Sequence, residues 1–242
     1  MDIRDRKLAQ LIIQYSLEVQ PGQKVLIRGG VLGEPLLKEL YREVLAAGAL
    51  PFMMTNFGWE EEELLTRGNE EQISHIHKPV SVLYGEYDRL VRVLSEENTK
   101  NLNGVDPQVF ARFTQARAPL MNTYMERTAR GELRWSLTLY PTNAYAQDAD
   151  MSLDAYADFV YQACMPDMDD PVGYWRGVSA RQARVIDWLK GKKRVHLVGR
   201  DTDLRLSIEG RNFINCDCKL NIPDGEIFTG PVEDSMEGHV TF

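Results

Sequence analysis

Between Lys24 and Thr55 the chain reads KVLIRGGVLGEPLLKELYREVLAAGALPFMMT, an alternation that leaves few folds open. Residues 24–28 form a short apolar run of strand type, followed by a glycine-rich loop at 29–33. Leu36, Leu37, Leu40 and Val44 then recur at helical spacing up to Gly48, and residues 49–55 read as strand again. A strand, an amphipathic helix and a second strand in such close succession make a βαβ unit. Its strands run parallel and its crossover is right-handed.

The same alternation extends on both sides. Leu8, Leu11, Ile12 and Tyr15 mark a first helix over 4–18, closed by Pro21-Gly22. A helical stretch over 59–76, with Gly68 and Asn69 as candidate breaks, precedes a strand at 88–94. Asp106-Pro107 is an N-cap followed by a first-turn proline, opening a helix toward Arg130 that Pro119 kinks or splits. Residues 133–139 read as strand, Ser152 caps a helix, and Asp170-Pro171 opens another that ends near Lys190. The expected fold class is α/β, a mostly parallel sheet flanked by helices.

Near Gly191 the register changes. Short strand-like runs at 194–198, 203–208, 212–215, 216–220 and 226–229 follow one another with turns and no helix between them. The expected organisation is an N-terminal α/β domain over 1–190, then the β-rich beginning of a second domain over 191–242. Residues 239–242 are of strand type with no closing turn, and so few short strands do not build a separate core. The expectation is therefore that these residues continue into a longer polypeptide.

A net charge of −8 argues against a general nucleic-acid binder, which needs a basic face. No apolar run reaches the ~20 residues that span a bilayer, and the charged start MDIRDRKLAQ lacks a signal core. Three cysteines point to a reducing compartment, so the expected location is cytoplasmic.

Four sets of residues could carry chemistry. The 29–33 loop lies where a phosphate cradle would, but its spacing is not G-x-G-x-x-G and Glu34 puts a negative charge at the phosphate position. A tight βα turn is the preferred reading. His75 and His77, two apart on a helix, would point about 160° from each other and share no metal. Cys216 and Cys218 would share one face of a strand, a single pair where a zinc site needs four ligands. Glu226 follows Pro223-Asp224-Gly225 and leads a strand, among the acids Asp217, Asp224, Glu233, Asp234 and Glu237. From the residues alone it is either a solvated hairpin tip or a rigidly held hard ligand for a divalent ion.

The run NIPDGEIFTGPVEDSMEGHVTF resembles the N-x-P-x-G-E-x-F-T-x-P-x-E-D-S-x-x-G segment of the aminopeptidase T/AmpS/PepS family of metallopeptidases. The opening VQPGQKVLIRG, the mid-chain SLTLYPTNAYAQDADMSLDAYADFVYQAC and DPVGYW resemble the same family, so the likeness covers the whole chain. The resemblance implies a metal-dependent aminopeptidase with two divalent ions, zinc, cobalt or manganese, and assigns Glu226 as one metal ligand. It puts the remaining ligands and the catalytic groups past residue 242. The 242 residues alone are then expected to hold no tight metal and to be inactive. A co-catalytic pair polarises the scissile carbonyl, activates water and holds the free α-amine. Peptide substrates and a homodimer follow from the resemblance. The reading set against it is a stand-alone α/β module that binds a nucleotide or small molecule through the 29–33 loop.

Overall fold

The computed structural model describes residues 2–241, and the backbone divides into two compact units. The first comprises Met1–Pro171 with Lys219–Pro223, the second Val172–Cys218 with Asp224–Phe242. The long helix after Pro171 groups with the strands that follow it. Phe242, the last residue of the strand-like 239–242 run, lies outside the described residues.

In the first unit α1 (Ile3–Leu11) begins where the Asp2 carboxylate accepts the Arg4 N–H at 2.9 Å, and continues as a π-helical turn over Ile12–Ser16. β1 (Lys24–Gly30), a 3-10 turn and α2 (Glu34–Ala46) lead to β2 (Leu50–Asn56). The helical stretch expected at 59–76 is two helices, α3 (Glu60–Arg67) and α4 (Glu70–Ser74). Asn69 makes a capping box with Gln72 that restarts the helix after Gly68. Next come α5 (Lys78–Glu86), not expected from the sequence, and β3 (Arg89–Leu94). The Asp106–Pro107 helix is split, as the proline implied, into α6 (Pro107–Ala116) and α7 (Ala118–Ala129). β4 (Arg134–Leu139), α8 (Asn143–Asp148) and α9 (Leu153–Cys164) complete the run.

The first unit's sheet takes the order β2-β1-β3-β4, with β8 (Asn221–Ile222) on its far edge, and every pairing is parallel. Val25, Leu26 and Ile27 on β1 are fully buried, as are Leu8 and Ile12 on one covering layer and Leu36 and Leu40 on α2. On the other face Leu26, Leu83, Leu90 and Leu133 form a cluster that Tyr84, Tyr124 and Trp135 pack against. Both faces being covered explains why the strands read as continuous apolar runs. Arg89, buried beside this core, donates to the Leu17 carbonyl at 2.8 Å and ties β3 to the end of the first helix.

The second unit contains α10 (Pro171–Leu189) from Val172 onward and five short strands. β5 (Arg194–Gly199), β6 (Thr202–Ser207) and β10 (Glu237–His239) form an antiparallel sheet in the order β10-β6-β5. β7 (Ile214–Cys216) and β9 (Glu226–Phe228) pair separately, also antiparallel. The expected strand at 216–220 is not formed: Cys218 takes φ +70°, which breaks extended backbone.

Candidate metal centre

The register of the smaller pair decides the site. Ile214 lies opposite Phe228, Asn215 opposite Ile227, and Cys216 opposite Glu226. The Gly225 N–H donates to the Cys216 carbonyl at 3.0 Å and closes the end of the ladder. Gly225 has φ +128°, a conformation only glycine adopts without strain, which is why the turn reads Asp-Gly before the acid. On the other arm the Cys218 N–H donates to Asp224 Oδ2 at 3.2 Å. Asn215 Nδ2 donates to the Ser179 carbonyl at 3.0 Å, so β7 is anchored on α10.

These constraints bring Cys216 Sγ and carboxylate oxygens of Asp224 and Glu226 within 4.8 Å of one another. Cys216 and Asp224 are half-buried and Glu226 is exposed. Ligand bonds of about 2.0–2.3 Å space donors roughly 3.3–3.8 Å apart around a tetrahedral ion; the three donors here lie no more than 4.8 Å from one another. Burial pushes the Asp224 carboxyl above the usual range, as do the charges of Glu226 and Asp217, against the pull of the Cys218 and Gly225 N–H groups. Burial also raises the Cys216 thiol, and Asp224, Glu226 and Asp217 add to the shift. Acidic groups gather here, and a divalent cation is what such a cluster stabilises. One thiol with two carboxylates suits zinc or cobalt better than magnesium or calcium.

Glu226 therefore stands at the start of a strand, held by a turn, as its sequence neighbourhood implies. Cys216 and Asp224 were not assigned a role by sequence reasoning. The sequence carries no local signal for this pairing, which the β7–β9 register creates; two thiols on one strand were expected instead. Cys216 ends β7 while Cys218 is fully buried in a left-handed conformation, so they do not share a face. His75 and His77 also differ from expectation. They lie in the extended link between α4 and α5, and their rings pack edge to face 4.7 Å apart rather than pointing away from each other. No third ligand joins them among the described residues. His196 Nε2 lies 3.0 Å from Asp203 Oδ1 on an exposed sheet. Glu233 is engaged by Arg211 at 2.5 Å. Cys164 is buried on α9, its thiol pushed up to about 12 by burial, and is no nucleophile.

The glycine loop gives the nucleotide reading no support. A Cβ on Gly29 would lie 2.9 Å from Leu37 Cδ2 and 3.0 Å from the Val93 carbonyl, and one on Gly30 2.8 Å from Ser95 Oγ. Those glycines let β3 and α2 approach β1, a packing role.

The family model described as thermophilic metalloprotease (M29) matches residues 2–242, and the chain belongs to that family. Aminopeptidase 2 of Geobacillus stearothermophilus is 25% identical over 97% of this chain, and aminopeptidase T of Thermus thermophilus 22% identical over the same share. In each case the chain spans 62% of the relative's length. The solved structure of wild-type AmpT from Thermus thermophilus superposes with a TM-score of 0.79 at 19% identity, over 98% of this chain and 63% of that one. A dioxygenase from Pseudomonas putida KT2440 also shares the fold, at TM-score 0.53 and 11% identity over 97% of this chain and 57% of its own. The architecture alone thus does not choose a chemistry.

Proposed function

We propose that the chain is the N-terminal part of a metal-dependent aminopeptidase and that Glu226 is a ligand of its metal site. The observation that carries this is the Cys216–Asp224–Glu226 triad, gathered around the glutamate of the G-E-x-F-T segment in a chain that belongs to a metalloprotease family. Glu226 would hold the ion from the strand end, with Cys216 and Asp224 as neighbouring donors whose backbone contacts limit their movement. A bound divalent ion would supply Lewis-acid polarisation of a peptide carbonyl and activation of water. The residues of this chain hold and orient: the β7–β9 ladder fixes Glu226 opposite Cys216, and Asp224 keeps one oxygen on the Cys218 N–H.

The reading extends to a paired site of zinc, cobalt or manganese, with the first two favoured by the thiol. It extends also to peptides as substrates, a homodimer, a cytoplasmic setting, and residues 191–242 as the start of the catalytic domain. The net charge of −8 supports a protein without nucleic-acid partners, and no helix among the described residues is long and apolar enough to cross a membrane. The 242-residue polypeptide assayed alone is expected to cleave no peptide. In the intact protein, Glu226→Gln is expected to lower metal content, measured by elemental analysis, and to remove at least about a hundredfold of aminoacyl-nitroanilide cleavage, the scale for disturbing a metal site. Full activity and full metal content in that variant would reject the assignment.

A further inference from the structure

A second place in the molecule has the features of a binding site, and none of the triad's residues belongs to it. In the first unit's sheet the chain passes from β1 outward to β2 and then returns across β1 to form β3. Open α/β sheets bind ligands outside the carboxyl ends of their strands. A groove of about 560 Å³ lies there, within the size range of small-ligand sites. Its walls are the segment after β2, with Gly58, Trp59 and Glu62, the segment 97–101 after β3, and α8 after β4.

The walls are tied together. Asn101 Nδ2 donates to the Gly58 carbonyl at 2.9 Å, linking the first wall to the second. Thr99 Oγ1 and Lys100 Nζ donate to the two carboxylate oxygens of Asp148, each at 2.5 Å, linking the second to the third. These bonds leave a definite charge balance. Lys100 and Asp148 neutralise each other, while Glu62 and Glu97 have no ion-pair partner among the described residues. Beside them Trp59, 57% exposed, stacks on Phe57 with ring centroids 5.9 Å apart. Two uncompensated carboxylates next to an open indole face repel anions and attract a planar or compact cation.

We propose that this groove binds an organic cation, namely the guanidinium or ammonium group of an arginine- or lysine-bearing peptide. Trp59 supplies the face on which the cation lies, and Glu62 and Glu97 supply its counter-charges. Asn98 and Gln147, which also line the groove, offer amides to the flanking backbone. The site needs no free α-amine and no metal, so it stands or falls separately from the peptidase reading.

The test is a calorimetric titration with acetyl-Gly-Arg-Gly-amide, whose blocked ends keep it from being an aminopeptidase substrate. Saturable binding is expected, weakened at least about tenfold when the arginine is replaced by citrulline, the neutral isostere. It should weaken with salt, as half-exposed charge pairs do. Glu62→Gln with Glu97→Gln, and separately Trp59→Ala, should each weaken binding about tenfold, while Glu226→Gln binds as the wild type does. Equal binding of the arginine and citrulline peptides would mark a site for uncharged polar ligands and overturn the proposal. So would unchanged affinity in the Glu62/Glu97 variant, or no saturable heat with the wild type.

Discussion

The two units bury their apolar residues to different degrees. In the first, a parallel sheet is covered on both faces, and Val25, Leu26, Ile27, Leu36 and Leu40 are inaccessible to solvent. In the second, Trp175, Ile208 and Cys218 are buried, but Leu197, Val198 and Trp188 are 47%, 72% and 66% exposed. Parallel strands with helical crossovers give each residue neighbours on both sides, whereas short antiparallel strands of three to six residues without such crossovers cover one another poorly. The first unit thus holds most of the buried core. The candidate metal ligands all lie in the less buried unit, at a hairpin end held by a few backbone hydrogen bonds.

That contrast can be broken most directly in the core. Leu26→Ala should destabilise the protein by about 2–5 kcal/mol, because the cavity opens between two packed layers. Val198→Thr in the second unit should change stability by less than about 0.5 kcal/mol. Thermal or urea unfolding of both variants checks the difference, and equal effects would abolish it. Next in size, Gly29→Ala should cost about 1–3 kcal/mol. Its methyl would press on Leu37 Cδ2 at 2.9 Å and the Val93 carbonyl at 3.0 Å, and the carbonyl is backbone that cannot step aside. A neutral result would mean that β1 and β3 approach less closely than described.

A third prediction concerns a charge buried in the well-packed unit. Asp5 is 1% exposed and accepts a hydrogen bond from the Tyr161 hydroxyl. Burial holds its pKa above the ordinary 3.8, with Asp2 adding to the shift and the Tyr161 and Arg4 contacts opposing it. An acid whose folded pKa is raised lends stability below its unfolded pKa and loses it as pH rises through the folded value. Asp5→Asn keeps an acceptor for Tyr161 and removes the buried charge. It should raise the melting temperature at pH 7–8, and the advantage should vanish toward pH 3. A variant less stable than wild type at neutral pH would contradict this. The smallest effect is expected at the surface of α10, where Lys190 meets Asp187 at 2.6 Å with both side chains about 70% exposed. Lys190→Ala should shift stability by less than about 0.5 kcal/mol, and added salt should erase the difference.

The parallel sheet was readable because its strands and helices differ in period. Leu36, Leu37, Leu40 and Val44 cannot serve as a strand, and the apolar run at 24–28 is too short and too continuous for a surface helix. Asp106-Pro107, Ser152 and Pro119 marked helix starts and a split because caps and prolines act within one turn. α5 was not legible: Lys-Pro-Val-Ser-Val-Leu carries β-branched residues and no cap, and its helical state comes from packing Leu83 and Tyr84 against Leu26 and Leu90. The histidine pair was misjudged for a related reason. Whether 75–77 continues a helix depends on where α4 stops, and Ser74 carries no sharp stop signal.

Local chemistry written in the chain sufficed for the family and the alternating architecture, and for placing Glu226 behind a tight turn, since a turn, a glycine and a long motif are contiguous in sequence. Pairing was another matter. Cys216 became Glu226's neighbour only through the β7–β9 register, and Glu62, Glu97 and Trp59 met in one groove only because β2 and β3 flank β1. Long-range registers are set by the summed burial of whole elements, so no short window of residues contains them.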